Sequence, residues 1–354
     1  MNILYGVPGE GLGHATRSKV VIAHLLAQGH EVRVVSSSRA YTLLAAAFPG
    51  LVLEIRGFHL AYRGLAVSRL RTARLTLRTA PQDLIINFRQ YLALLGGFTP
   101  EVVISDFESF SYLFAKIHGI PVVSIDNMQV INRTQLDVAI PDDERENFGL
   151  AKNIVKFKLP RSRHYFVTTF FYPPVRKKNT TLVPPILRPE ILAAQPTSGD
   201  FVLVYQSATT QHDLVAQLQE LPKQPFRVYG FNKTERHGNV TLCAFSEAGF
   251  IADLAACRAV LTNGGFSLIS EAVYLHKPVC AVPIPAQFEQ WLNAAEIEKC
   301  GYGIHLKAIT VAGVRGFLAG LPAFEAALGS YQQPGNTGLF AALEAELAAL
   351  HSVG

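Results

Sequence analysis

The first loop with residues suited to chemistry runs from Gly6 to His14, between a predicted strand and a predicted helix. Glycines let the backbone approach a ligand closely, and the start of a helix presents free N–H groups to negative charge. His14 is a candidate general base. The glycines Gly9, Gly11 and Gly13 have the spacing G-x-G-x-G, without the ribose-binding acid of a dinucleotide fold or a Walker lysine. An NAD enzyme and a nucleotide triphosphatase are therefore disfavoured.

Two acids at the ends of predicted strands are alternatives to His14 as the base, or its partners. Asp126 ends one strand with Asn127 beyond it, and Asp106 ends another, close to Glu108. Carboxylates at strand-to-helix turns also cap the following helix, so each acid has a structural alternative. The sequence leaves open whether His14 or Asp126 takes a proton.

The second half of the chain has two further loops of this kind. In the run from Tyr205 to Thr210, Ser207 and its neighbouring hydroxyls either cap a helix or contact phosphate. In the run from Thr262 to Gln290, Gly264 and Gly265 end a buried strand and open a helix, a cradle of amides suited to a diphosphate. One turn into that helix, an acid is placed to accept hydrogen bonds from vicinal ribose hydroxyls, and an acid–amide pair follows the next strand: Glu271, then Glu289 and Gln290.

Short β-rich runs alternate with helical patterns in both halves, which predicts βαβ units and parallel sheets. Strands are predicted at 3–6, 31–36, 51–55, 102–106, 122–126 and 165–169, then at 201–205, 226–229, 259–262 and 279–283. Helices are predicted at 16–28, 109–118, 211–220, 249–256, 267–275 and 288–299. The predicted fold class is α/β, with two Rossmann-like doubly wound parallel-sheet domains facing a central cleft, where ligands bind.

A cluster of prolines between 173 and 196 predicts an extended connector between the two halves. The predicted organisation is a first domain over 1–175, a Pro-rich linker over 176–198 and a second domain over 199–310. Residues 311–354 are Ala- and Leu-rich with helical spacing, and we expect them to pack back across both domains.

With these motifs in place, the chain resembles the nucleotide-sugar glycosyltransferases of GT-B fold. These include the UDP-glycosyltransferases and the UDP-N-acetylglucosamine transferase that forms lipid II. The match is strongest over 240–303 and weaker over 1–40 and 100–127, and the start G-E-G-L-G-H-A-T-R is similar to that of uncharacterised prokaryotic members. The resemblance implies an acceptor-binding first domain and a second domain that binds the nucleotide sugar.

The resemblance also implies roles for individual residues. The diphosphate loop corresponds to Asn263, Gly264, Gly265, Phe266 and Ser267, with Ser207 as a phosphate-side serine. Glu271 corresponds to the ribose acid, and sugar hydroxyls are assigned to Gln287, Glu289 and Gln290. Phe245 and Ser246 match the segment whose backbone reads uracil. On the acceptor side, His14 matches a histidine assigned as base or acceptor ligand, near Gly11, Gly13 and Asp106. Two departures are Phe266, where plant enzymes carry tryptophan, and Ala208 in the second phosphate loop.

The predicted reaction is hexosyl transfer from a nucleotide diphosphate sugar, expected to be a UDP-sugar, to an acceptor hydroxyl with inversion. The sequence contains no D-x-D, so no metal-bridged diphosphate and no cofactor is expected, and amides at a helix start would stabilise the leaving group. Two alternatives stay open: a UDP-sugar 2-epimerase, and a non-catalytic protein that binds a nucleotide sugar or a glycolipid.

Charge and composition bear on location. The formal net charge is +5, and seven arginines share a stretch in which Asp83 is the only acid: Arg56, Arg63, Arg69, Arg71, Arg74, Arg78 and Arg89. This basic and leucine-rich stretch over 56–90 predicts either a solvated helix face or peripheral contact with an anionic membrane and a lipid-linked acceptor. The four cysteines lack metal-ligand spacing, and no apolar run is long enough to span a bilayer. We expect a cytoplasmic protein that does not bind nucleic acid.

Overall fold

The structure is a computed structural model of the 354-residue chain. It describes residues 1–9, 11–56, 62–63, 66–67, 86–87, 89–94, 96–206 and 213–351. Most of the arginine-rich stretch over 56–90 and the loop residue Ser207 therefore lie outside the described residues.

The first half forms a seven-stranded parallel sheet. Its strands are β1 (Asn2–Gly6), β2 (Glu31–Ser36), β3 (Val52–Glu54), β6 (Val102–Ser105), β7 (Val122–Asp126), β8 (His164–Thr168) and β9 (Thr180–Val183). They lie in the order β3-β2-β1-β6-β7-β8-β9. A separate two-stranded ribbon joins β4 (Tyr62–Arg63) to β5 (Ala66–Val67). The strand order reverses between β1 and β6, where an open sheet has its ligand crevice.

Helices cover the faces of this sheet, as its runs of buried Val and Ile require. They are α1 (Leu12–Ala27), α2 (Ser38–Ala47), α3 (Ser109–His118), α4 (Val130–Arg133) and α5 (Arg145–Lys158), the last preceded by a 3₁₀ turn at Asp142–Glu144. The predicted end of α3 is confirmed, because Gly119 adopts the left-handed conformation with φ of 67°.

The second half forms another seven-stranded sheet. Its strands are β10 (Val202–Tyr205), β11 (Phe226–Tyr229), β12 (Glu235–His237), β13 (Val240–Leu242), β14 (Ala259–Thr262), β15 (Val279–Ala281) and β16 (Gly303–His305). They lie in the order β12-β13-β11-β10-β14-β15-β16. All pair in parallel except β12, which is antiparallel to β13. The helices are α6 (Pro189–Ala193), α7 (Leu214–Gln219), α8 (Glu247–Ala256), α9 (Phe266–Tyr274) and α10 (Phe288–Lys299). The prediction of two doubly wound parallel sheets is confirmed.

The segment predicted as a Pro-rich linker, 176–198, is only partly extended. It contains β9, which pairs in parallel with β8 and completes the first sheet, and the short helix α6. The prolines at 173, 174, 184 and 185 lie outside β9, so the four residues from Thr180 to Val183 keep their backbone donors.

Two long helices end the described chain. The first, α11 (Val311–Leu328), packs Val314, Phe317 and Leu321 into the core of the second domain. The second, α12 (Thr337–His351), returns to the first domain, where Leu339 and Leu343 join the core beneath β1 and β2.

Among the described residues, α11 is the one helix with the length and hydropathy of a membrane span. It contains Arg315, Pro322 and Glu325. Because its buried side chains pack against the second sheet, it serves as a core helix of this domain.

Candidate active site

The glycine-rich loop brings the two domains into contact. Gly11 has φ of 80°, a conformation that favours glycine, and it immediately precedes α1. A Cβ atom on Gly13 would lie 2.6 Å from the Ser267 hydroxyl oxygen at the start of α9. A side chain larger than that of glycine at position 13 would therefore force the Ser267 hydroxyl to move.

His14 and Asp106, both predicted at the acceptor side, lie together at the sheet edge. The Nδ1 atom of His14 is 3.0 Å from the Asp106 Oδ1 atom. Asp106 is 1% exposed, whereas the His14 side chain is 19% exposed. When Nδ1 donates to Asp106, the Nε2 atom of His14 carries the free lone pair that a general base requires.

Arg17, one helical turn after His14, completes this cluster. Its Nε atom donates to Asp106 Oδ2 at 2.8 Å, and its second terminal nitrogen lies 2.5 Å from Asp106 Oδ1 and 2.8 Å from His14 Nδ1. Burial raises the pKa of Asp106, but the Arg17 guanidinium and His14 outweigh burial and hold that pKa below its ordinary value. Asp106 is therefore an ionised partner of His14, and Arg17 neutralises it.

Asp126 occupies a different position from the other predicted base. It is fully buried, and its two carboxylate oxygens accept hydrogen bonds from the Ser124 hydroxyl at 2.6 Å and the Gln129 amide at 2.8 Å. Burial raises the pKa of Asp126 to about 6. Glu108 caps α3 through the amides of Phe110 and Ser111. The partly exposed ring of His14 is better placed than buried Asp126 to meet an acceptor.

Asn127 connects this cluster to the second domain. Its Oδ1 atom accepts a hydrogen bond from Arg17 at 2.7 Å, and its Nδ2 atom donates to Glu289 Oε1 at 2.7 Å. A cavity of about 10 Å³, room for about one water, lies beside Asn127, Phe266 and Glu289. A polar chain thus runs from His14 to a residue predicted to bind the donor sugar.

The predicted diphosphate loop lies at the start of α9. Gly264 has φ of 88°, and a Cβ atom there would lie 2.9 Å from the Gln290 carbonyl oxygen, so both backbone shape and space require glycine. Gly265 precedes α9, and no side chain of the described residues caps the helix there. The Asn263 amide donates to the Gln206 side chain at 2.8 Å, next to the loop that contains Ser207. The amides that begin α9 are thus available for an anion.

Phe266 and the acid–amide pair shape the neighbouring surface. Phe266 is buried, with its ring 6.2 Å from that of Phe170 of the first domain. Gln290 Oε1 accepts a hydrogen bond from the Ile284 amide at 2.9 Å and so fixes the turn before α10. Gln287 directly precedes α10. Gln287, Glu289 and Gln290 therefore lie within one turn at the start of this helix.

The residues predicted to read the nucleoside lie at the starts of α8 and α9. Ser246 caps α8 through the Gly249 amide, and Phe245 is 56% exposed. Glu271, the predicted ribose acid, is buried, and both of its carboxylate oxygens accept hydrogen bonds from Arg188 at 2.7 Å.

Three of these contact residues carried no prediction of a role: Arg17, Asn127 and Arg188. Arg17 is three residues after His14 on a helix, a spacing that places two side chains on one face, and this was the available signal. Asn127 is 110 residues from Arg17 and 162 from Glu289, and Arg188 is 59 residues from Glu247 and 83 from Glu271, so no local pattern indicates these contacts.

Comparison with known sequences gives one family. A family model described as glycosyl transferase family 1 matches residues 1–322. A relative from Methanosarcina mazei, described as an uncharacterized glycosyltransferase, is 24% identical over 340 residues, covering 86% of this chain and 85% of the relative. One from Methanosarcina acetivorans with the same description is 25% identical over 334 residues, with the same coverage.

Solved structures agree in fold. The calicheamicin glycosyltransferase CalG4 superposes with a TM-score of 0.68 at 17% identity, covering 98% of both chains. A Phytolacca americana glycosyltransferase, UGT2, complexed with UDP-2-fluoro-glucose and pterostilbene, has a TM-score of 0.65 at 15% identity, again covering 98% of both. The predicted GT-B fold is confirmed.

Proposed function

Because this chain belongs to glycosyl transferase family 1 and is a glycosyltransferase, we propose that it moves a hexosyl unit from a UDP-sugar to an acceptor hydroxyl with inversion. The observation that carries the proposal is the contact of two loops across the cleft. His14 with its ionised partner Asp106 ends one loop, and the uncapped amides of α9 begin the other, with Gly13 against Ser267 between them.

On the acceptor side, His14 is the proposed base and Asp106 orients it. The acceptor oxygen attacks the anomeric carbon while its proton passes to His14 Nε2. Asp106 stabilises the imidazolium that forms, because its carboxylate remains ionised beside Arg17. The bond between the anomeric carbon and the diphosphate breaks, and its electron pair stays on the UDP oxygen. Attack from the face opposite the leaving group inverts the anomeric centre.

On the donor side, the leaving diphosphate is proposed to rest on the amides at the start of α9. The free N–H groups and the dipole of that helix favour negative charge as it develops. Asn263, Ser267 and the loop with Ser207 are the further candidates for phosphate contacts. Within the described part of the chain, no group of three or more His, Cys, Asp or Glu side chains has the arrangement of a metal site. The proposed reaction is metal-independent, because the amides at the start of α9 would meet the charge of the leaving diphosphate.

The acceptor is proposed to be lipid-linked, with the protein in the cytoplasm and in reversible contact with the membrane. The stretch over 56–90 that suggested this lies largely outside the described residues. Support comes from α5 and its surroundings, where exposed Ile154 and Phe157 stand beside Lys152 and Lys156. Exposed apolar and basic side chains together suit an anionic membrane surface.

The direct test is to incubate the pure protein with a panel of labelled UDP-sugars. UDP is the first choice of nucleotide because the Phytolacca neighbour was solved with a UDP-sugar. Slow release of UDP, accelerated by a suitable acceptor, is expected because water replaces the missing acceptor poorly. Formation of a C2 epimer without UDP release would instead indicate an epimerase. Tight binding without any turnover would indicate a binding protein.

A further inference from the structure

Arg188 joins two segments that are distant in sequence from it. It directly precedes α6, and its side chain is 13% exposed. Its Nε and one terminal nitrogen each donate to one carboxylate oxygen of Glu271 at 2.7 Å, and its other terminal nitrogen donates to Glu247 at 2.9 Å. All the terminal nitrogens of the guanidinium are thus engaged with acids of the second domain.

The two acids belong to the segments assigned to the nucleoside. Glu247 begins α8, directly after Phe245 and Ser246, and Glu271 lies one turn into α9. Each carboxylate oxygen accepts two hydrogen bonds, and Arg188 uses one on each oxygen of Glu271. Among the hydrogen bonds of the described residues, one acceptor position per oxygen is left for a pair of vicinal hydroxyls. The planar fork of arginine also fixes the plane of the carboxylate, which a lysine cannot do.

Charge supports the same arrangement. Burial works to lower the pKa of Arg188, but Glu271 and Glu247 more than compensate and raise it. Arg188 therefore remains a cation. Burial raises the pKa of Glu271, and Arg188 opposes that rise, so the charged carboxylate costs less beside Arg188 than it would unpaired. A charged carboxylate with a fixed plane is the stronger and more selective acceptor for hydroxyl groups.

We propose that Arg188 is a positioning residue of the nucleoside site, which holds Glu271 so that it receives both ribose hydroxyls and selects ribonucleotides over 2′-deoxyribonucleotides. The inference rests on the proposed function, because it takes Glu271 as the ribose acid. It goes further by assigning sugar selectivity in the nucleoside to a residue outside the Gly-Gly loop and its helix.

The test is calorimetric titration of UDP and 2′-deoxy-UDP into the wild type, Arg188→Lys and Glu271→Gln. The wild type should bind UDP about ten- to a hundredfold more tightly than 2′-deoxy-UDP, as expected for a lost hydrogen bond to a charged group. Arg188→Lys keeps the charge but loses the fork, so the UDP affinity should fall about tenfold and the ratio should approach one. Glu271→Gln should likewise bind UDP and 2′-deoxy-UDP with similar affinities.

Arg227→Lys is the matched control, because Arg227 pairs with Asp253 elsewhere in the second domain. It should keep the wild-type ratio. Thermal unfolding of each variant identifies any that fails to fold, and Arg188→Gln then serves as a second, uncharged substitution. If Arg188→Lys still prefers UDP over 2′-deoxy-UDP and Glu271→Gln does not, the role of Arg188 is overturned and the ribose assignment of Glu271 stands. A ratio retained in Glu271→Gln would overturn the ribose assignment and the inference with it. Tighter UDP binding by Arg188→Lys would mean that Arg188 competes with the ribose, which also overturns the proposal.

Discussion

Asp106 accepts hydrogen bonds from several side chains, and these contacts decide what His14 can do. Arg17 takes both of its oxygens, and the Ser18 hydroxyl donates to Oδ2 at 3.0 Å. His14 Nδ1 lies between Asp106 Oδ1, to which it can donate, and the Arg17 guanidinium, from which it can accept. In the tautomer that donates to Asp106, the Nε2 atom is the proton acceptor, and this is the tautomer that the proposed base role requires.

The prediction at this scale is that His14→Ala lowers turnover by about 10² to 10⁴ fold and leaves the affinity for UDP unchanged. The loss is confined to turnover because the imidazole acts on the acceptor proton and touches no assigned nucleotide contact. Steady-state rates and UDP titration measure the two quantities. His118→Ala, on the exposed part of α3, is the matched control. Near-normal turnover of His14→Ala would move the base role to Asp126 or another residue.

Sequence alone supplied His14 and also Asp106, as a rival base or a partner of His14, because each lies at the end of a predicted strand or in the loop that follows one. It did not supply their pairing with Arg17, since Arg17 and Asp106 are 89 residues apart. It also left Asp126 as an equal alternative, because burial and the contacts from Ser124 and Gln129 arise only when the sheet is assembled. Local spacing thus predicts which residues reach the cleft, and tertiary contacts decide how buried they are and which hydrogen bonds they make.

At the scale of elements, the site is built where strand order reverses and where α9 begins. The parallel sheets were predictable from alternating β-rich and helical runs, which are strong local signals. In the two large sheets, four strands escaped prediction because each is only three or four residues long: β9, β12, β13 and β16. Three of them, β9, β12 and β16, lie at sheet edges, where a weak pattern suffices.

The loop after β7 links the two halves through Asn127, and this gives the second prediction. Asn127→Ala removes the hydrogen bonds to Arg17 and Glu289, each of a kind worth about 1.5 to 3 kcal/mol when one partner is charged. Glu289 is assigned to sugar hydroxyls, so kcat/KM for the UDP-sugar should fall by about tenfold or more while the Kd for UDP stays the same.

Asn132→Ala is the control for this variant, because Asn132 lies on α4 of the same domain and contacts Gln129 and Lys177. It should behave like the wild type. Equal kinetics of Asn127→Ala and Asn132→Ala would show that Glu289 needs no anchor in the first domain. An equal loss of UDP and UDP-sugar affinity would instead assign Asn127 to the nucleotide.

At the scale of the whole molecule, one outer surface of the first domain is both apolar and basic. We call it the α3–α5 surface, because the Tyr112 hydroxyl and the Lys116 ammonium on α3 donate to the carbonyls of Pro160 and Arg161 after α5. Its large apolar side chains are 43% to 70% exposed: Leu113, Ile117, Leu150, Ile154 and Phe157. The basic character shows at Lys177, whose pKa is lowered first by burial and then by neighbouring cations. These cations are Arg133, Lys156, Lys152 and Arg176.

The last prediction is that the protein sediments with vesicles rich in anionic lipid at low salt and is released as salt is raised. Each basic residue near such a surface contributes about 1 kcal/mol, and screening removes this contribution. Lys156→Glu should therefore lower the membrane partition constant of the protein by about tenfold or more. Phe157→Ser should weaken binding at every salt concentration, because the insertion of an apolar side chain is not screened by salt.

Lys223→Glu is the control, because it makes the same charge reversal on an exposed turn of the second domain, and it should lower the partition constant less. If the wild type stays in the supernatant at every lipid composition, the acceptor is better sought among soluble molecules. Equal losses for Lys156→Glu and Lys223→Glu would indicate that net charge, and not the α3–α5 surface, drives the attachment.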